Sequence, residues 1–214
     1  MHWRIHAALE WGKDRIKDTL LSFVTQRVPL PATVADKRII FIGASVGKAW
    51  RLHLVFPKVR TLALYEFDKS PLVRRAIADR PDAIIIKECA AYFPSDAVRR
   101  DLVERWVQQI RAAHIRPVLA TVVPVTRGHA LRHVGRAEEI WEFNDYLREL
   151  AAAQQVPLLD LEAAVRSSAH ERYLEEELDT GDGLHLTRAT YRRHLDSLIP
   201  PLLLRTFESE PEAR

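Results

Sequence analysis

The chain has 214 residues, 47% of them hydrophobic and 29% charged, which is the profile of a folded globular protein and excludes a disordered one. Its 32 lysines and arginines against 29 acidic residues leave a net charge of +3 with no dense basic run, so no nucleic-acid partner is expected. A single cysteine, Cys89, excludes an intramolecular disulfide. No apolar stretch reaches the length of a membrane span, and residues 1–28 carry too many charges for a secretory signal. A cytoplasmic protein is the expectation.

Residues 3–27 set Trp3, Leu9, Ile16, Leu20 and Val24 among charges at helical spacing, which predicts an amphipathic helix. Trp3, Trp11 and the basic residues also fit peripheral membrane contact, but Glu10, Asp14 and Asp18 interrupt the basic face and favour packing on the domain. Val28-Pro29-Leu30-Pro31 ends that helix, because proline lacks the amide donor. The apolar run Ile39-Ile40-Phe41-Ile42 reads as a fully buried, parallel strand. It runs into Gly43-Ala44-Ser45-Val46-Gly47, whose glycines permit a tight turn that presents Ser45 at the strand's carboxyl end.

Further strands are predicted over 60–65, 82–87, 116–123 and 156–160, with Lys87 ending the third and reaching solvent. Helices are predicted over 72–78, from a cap at Ser95 and Asp96 through 110, over 136–153 and over 187–204. Residues 124–135 read as a polar loop, and the stretch to 177 as helix-rich. Five strands separated by helices predict an α/β fold, a three-layer α/β/α sandwich on a flavodoxin-like, doubly wound parallel sheet. The expected division is an N-terminal helix and connection over 1–34, one domain over 35–207 and a charged tail over 208–214.

A serine hydroxyl becomes an effective nucleophile when a histidine, oriented by a carboxylate, takes its proton. Asp182-Gly183-Leu184-His185 lets one late loop present both partners, and a doubly wound sheet can bring that loop beside Ser45. Gly43 to Gly47 also frames the serine as the elbow of α/β-hydrolases does, and Lys48 gives a phosphate-loop pattern one residue short. His129 and His133 stand four apart with no third ligand in view, so the reading calls for no metal and no cofactor. Arg127, Arg132 and Arg136 read as a solvated face or, alternatively, a cleft lining for an anionic substrate. Cys89 reads as an inert buried thiol, and Glu88 as a partner for an arginine or an acceptor from a substrate hydroxyl.

Four stretches carry a family resemblance: Ile40-Phe41-Ile42-Gly43-Ala44-Ser45, Pro81-Asp82-Ala83-Ile84-Ile85-Ile86, Asp182-Gly183-Leu184-His185-Leu186-Thr187, and Phe143-Asn144-Asp145-Tyr146-Leu147 followed by Val156-Pro157-Leu158-Leu159-Asp160. Over about 38–204 the chain resembles the GDSL-type, or SGNH, hydrolases, serine esterases and lipases on a flavodoxin-like sandwich. The resemblance implies Ser45 as nucleophile, His185 as base and Asp182 as its orienting partner. Ala44 stands where the family usually has an acid, and Glu88-Cys89-Ala90-Ala91 where it has an oxyanion-donating asparagine. The Asp68-Lys69-Ser70 turn stands where it has a second-strand glycine. An oxyanion hole would therefore combine the Ser45 amide with one from the Lys69 or Cys89 loop, which makes Ala44, Lys69, Glu88 and Cys89 the oxyanion and substrate-binding candidates. The expected activity is hydrolysis of a carboxylic ester, an acyl or acetyl ester of a small molecule, lipid or sugar. Acyl transfer by the same triad, a weakly catalytic protein binding a glycan, lipid or protein partner, and a nucleotide-binding Rossmann-like protein are the alternatives.

Overall fold

The structure, a computed structural model, describes residues 17–19, 21–22, 25, 27–66, 68–89, 97–168 and 171–208. Most of the predicted helix over 3–27, the cap at Ser95 and Asp96, and the tail after Glu208 lie outside the described residues. Strands β1 (Ile39–Gly43), β2 (Val59–Ala63), β3 (Ala83–Lys87), β4 (Arg116–Ala120) and β5 (Leu158–Leu159) form one parallel sheet in the order β2-β1-β3-β4-β5. That is the flavodoxin-like order, with its switch point between β1 and β3.

Helices α1 (Ser45–Trp50), α2 (Leu52–Val55), α3 (Ser70–Ala78), α4 (Ala97–Ala112), α5 (Arg127–Arg132), α6 (Arg136–Ala153) and α7 (Leu161–Val165) follow the strands in turn. Near the C-terminus, α8 (Arg188–Thr190) leads through a π turn and a 3-10 turn to α9 (Ile199–Glu208). Ile39, Phe41, Ala83 and Ile85 share one core layer with Trp50, Leu161, Leu195 and Leu202. Ile40, Ile42, Ile84 and Ile86 share the other with Val73, Trp106, Ile110 and Phe143. Layers on both faces are why the strands read as unbroken apolar runs. Each such isoleucine contributes on the order of 1.5–3 kcal/mol of burial energy. Among the described residues, no helix is long and apolar enough to cross a membrane.

Several boundaries differ from expectation for local reasons. The fourth strand stops at Ala120 instead of 123, because the Val122 amide donates to the Asn144 side chain at 2.7 Å and leaves the ladder. The polar loop over 124–135 contains α5, whose first turn is capped by Thr126 Oγ1 accepting from the His129 amide at 3.2 Å. Among the described residues the helix-rich stretch to 177 is α7 and one 3-10 turn (Glu176–Leu178), joined through an isolated bridge between Arg166 and Leu174. The last predicted helix is broken after Thr190 and restarts with Pro200 and Pro201 in the first turn of α9, where a missing N–H costs little.

Candidate active site

Ser45 opens α1, one residue beyond β1. Gly47 lets that helix lie directly on Phe41: a Cβ there would stand 2.7 Å from the Phe41 ring. The helix is also tied to the chain's far end. Tyr191 Oη donates to the Val46 carbonyl at 3.1 Å, and Trp50 Nε1 donates to Asp196 Oδ1 at 2.7 Å. The Trp50 and Tyr191 rings stack with centroids 5.9 Å apart. Ser45 is thus anchored to the segment that follows His185.

The loop carrying Asp182 and His185 is organised by its own carboxylates. Asp179 Oδ2 accepts the amides of Gly181 and Gly183, both at 2.8 Å. Asp182 Oδ1 accepts the amides of Leu184 at 2.9 Å and His185 at 2.8 Å, and its Oδ2 stands 2.6 Å from His185 Nδ1. Partial burial works against the Asp182 charge, but the His185 ring and those two amides outweigh it and hold the carboxyl down to about 2. Gly183 has φ +81, and a Cβ there would lie 2.6 Å from His129 Cβ and 2.7 Å from Thr126 Oγ1. That close approach lets the Thr126 amide donate to the Gly183 carbonyl at 3.1 Å. His129 Nδ1 lies 3.3 Å from the Asp182 carbonyl, and its ring stacks on His133 at 4.4 Å. His129 therefore braces the loop. Among the described residues, no cluster of three or more His, Cys, Asp or Glu side chains is placed to hold a metal.

Ser45 and His185 border one small cavity of about 30 Å³, together with Val46, Lys87, Cys89, Val123 and Leu184. Lys87 does not reach solvent as expected; it is 1% exposed. It follows Ala83 and Ile85 in strand alternation and so points into the layer that holds α1. Ala120 pairs with it on one side, and Gly43 is the next position beyond the Ile42–Ile86 pair on the other. Two small neighbours make room for the long side chain. Its Nζ donates to the Glu88 carbonyl at 2.7 Å, and its remaining N–H bonds meet no acceptor among the described residues. Burial pushes the Lys87 pKa below the usual lysine range, with Cys89 and Glu88 pulling the other way. Reasoning from sequence missed this residue, although a lone cation ending an otherwise apolar central strand was the available signal.

The other candidates divide. Cys89 borders the small cavity, but its amide donates to Glu88 Oε2 at 3.3 Å. Glu88 pairs with a lysine among the described residues: its Oε2 lies 3.7 Å from Lys69 Nζ, which also donates to the Glu66 carbonyl. Lys69 and Glu88 are buried, and neither they nor Ala44 border the cavities that Ser45 and His185 share. Arg127 lies away from those cavities too, bonded to Glu171 at 2.7 Å and set over the Tyr173 ring. Instead, a second cavity of about 380 Å³ borders Ser45 and His185 with Lys48, Arg51, Tyr65 and Arg188 in its wall.

Comparison with known proteins agrees with this architecture. The GDSL-like Lipase/Acylhydrolase family model matches residues 65–193, which include Asp182 and His185 and begin after Ser45. A Bacteroides fragilis structure described as a candidate acylhydrolase superposes with TM-score 0.66 at 21% identity, covering 84% of this chain and 91% of that one. A GDSL-like lipase from Bacteroides thetaiotaomicron gives TM-score 0.63 at 16% identity, covering 90% and 96%. The acetylxylan esterase Axe2 of Geobacillus stearothermophilus gives TM-score 0.56 at 13% identity, covering 84% and 98%. At these identities the structural likenesses speak for the fold. No curated protein matches the chain at significant similarity.

Proposed function

The chain belongs to the GDSL-like lipase/acylhydrolase family and is a hydrolase acting on esters, and from that premise we propose that Ser45, His185 and Asp182 carry the reaction. The observation that carries the reading is the 2.6 Å contact of Asp182 Oδ2 with His185 Nδ1, on a loop that shares two cavities with Ser45. With Nδ1–H committed to the carboxylate, His185 Nε2 is left as the nitrogen that takes a proton.

Ser45 Oγ attacks the acyl carbon as its proton passes to His185 Nε2. The bond from the acyl carbon to the alcohol oxygen then breaks, and that oxygen leaves with the proton. Water attacks the Ser45 ester by the same exchange, releasing the carboxylic acid and restoring the hydroxyl. The Ser45 amide and the Lys87 amine, from two residues that border the small cavity, are the donors for the developing oxyanion. Lys87 in this reading supplies what the missing asparagine does not. The substrate is a small-molecule, lipid or sugar ester. A fluorophosphonate probe is expected to label the protein at Ser45, and undiminished labelling of Ser45→Ala would overturn the assignment.

A further inference from the structure

The larger cavity beside Ser45 has a wall of one sign. Lys17, Lys48, Arg51, Arg188 and Arg192 border it, and no carboxylate does among the described residues. The carboxylates next to it are already committed: Asp18 to Arg51 and His53, Asp196 to Arg192 at 2.8 Å and to Trp50, and Asp182 to His185.

Two of the cations converge without an anion between them. Arg188 Nη2 and Arg192 Nη2 both donate to Thr25 Oγ1, at 2.9 and 3.0 Å. Asp196 offsets the Arg192 charge, but one neutral hydroxyl does not offset that of Arg188. Slight desolvation, and then the nearby Arg192 and Arg51, push the Arg188 pKa below the usual arginine range. The same two arginines border a neighbouring cavity with Arg27 and with Asp196, the partner of Arg192, so cations outnumber carboxylates there as well.

The two cavities differ more than tenfold in volume, about 30 against 380 Å³. The small one has room for little more than a water-sized group, so the bulk of an ester bound at Ser45 must occupy the large one. We propose that the large cavity binds an anionic group, a phosphate, sulfonate or carboxylate, carried on the leaving alcohol of the ester. Arginine forks are matched to such oxyanions. The inference rests on Ser45 and His185 being the reacting pair. Lys17 and Thr25 precede the family-matched segment, so this selectivity is built partly from residues outside it.

The test compares phenyl acetate, 4-sulfophenyl acetate and 4-(trimethylammonio)phenyl acetate, each corrected for its uncatalysed hydrolysis. The expected kcat/KM of the anionic ester is about tenfold above the neutral one, with the cationic ester lowest. Added salt is expected to erase that preference. Arg188→Gln is expected to lower the anionic-to-neutral ratio roughly tenfold. Arg193→Gln, an exposed cation on the same segment outside the cavity, is expected to leave the ratio unchanged. Equal or reversed order among the esters, or a ratio indifferent to salt and to Arg188→Gln, overturns the inference while leaving ester hydrolysis intact. If no ester turns over, the reading of Ser45 fails instead. Calorimetry of the full chain with 4-hydroxybenzenesulfonate then decides the anion site alone: binding that Arg188→Gln abolishes supports it, and no binding overturns it.

Discussion

His185 and Lys87, which border the small cavity with Ser45, belong to polar clusters built in opposite ways. The Asp182–His185 pair is open to water, with side chains 49% and 36% exposed, and its bonds run between residues no more than three apart. Lys69, Lys87 and Glu88 are 0%, 1% and 4% exposed, and they come together from the start of α3 and the end of β3. Water screens the first pair, so what it contributes is geometry: a ring held in one tautomer by a short hydrogen bond. The second is buried, so carbonyls and opposite charges stand in for most of its hydration. Changes in the exposed pair should therefore alter rate with little effect on folding. Changes in the buried cluster should alter folding and its pH dependence as well.

The sharpest way to break that contrast is Asp182→Asn, expected to lower kcat roughly 10²–10⁴-fold through loss of the orienting acceptor while the melting temperature stays near wild type. A large fall in melting temperature would place the loop among the supports of the fold. Glu88→Gln is the converse. It leaves Lys69 and Lys87 without their buried carboxylate and is expected to cost about 3–5 kcal/mol in denaturant unfolding. A cost under about 1 kcal/mol would mean that the lysines are compensated elsewhere.

Lys87→Met should separate the two roles within the buried cluster. Loss of an oxyanion donor predicts a fall in kcat of about 10²–10³-fold with KM little changed. For stability the sign follows from the lowered pKa: below the ordinary lysine value of 10.5 the unfolded chain binds the proton more readily, so wild-type stability rises with pH up to that point. The Met variant should show a flatter profile. Full kcat together with the flattened profile would make Lys87 structural only. The smallest effect concerns Asp182, whose carboxyl should titrate near 2 by NMR, below its ordinary 3.8. Its contribution is thus present above the ordinary value and lost as pH falls through about 2, so a loss of activity above pH 4 has another origin. In His185→Gln the midpoint should rise part of the way, since the two amide bonds remain. An unchanged midpoint would mean that the ring does not hold the charge.

Much of the sheet was legible because both faces of each central strand are covered, which leaves near-continuous apolar runs such as Ile39 to Ile42 and Ala83 to Ile86. The glycine-framed Ser45 and the Asp-x-x-His loop were legible for a related reason. A turn at a strand end and a bond across three residues depend on a few neighbouring backbone angles, which local residue choice constrains. Boundaries set by distant partners were not. Asn144 takes the Val122 amide from 22 positions away and ends β4 early, and nothing in the local run announces it.

The amino-acid sequence by itself determined the layer order, the position of the serine and the pairing of Asp182 with His185, because periodicity and short-range hydrogen bonding are properties of adjacent residues. Only the tertiary structure decided that Lys87 turns inward between Gly43 and Ala120, that Tyr191 pins the helix of Ser45, and that cations from positions 17, 48, 51, 188 and 192 share one cavity wall. Burial and electrostatic potential sum over everything packed nearby, whatever its distance along the chain. For that reason the candidate nucleophile was legible in a short glycine-framed stretch, and the proposed preference for an anionic substrate only in the folded cleft.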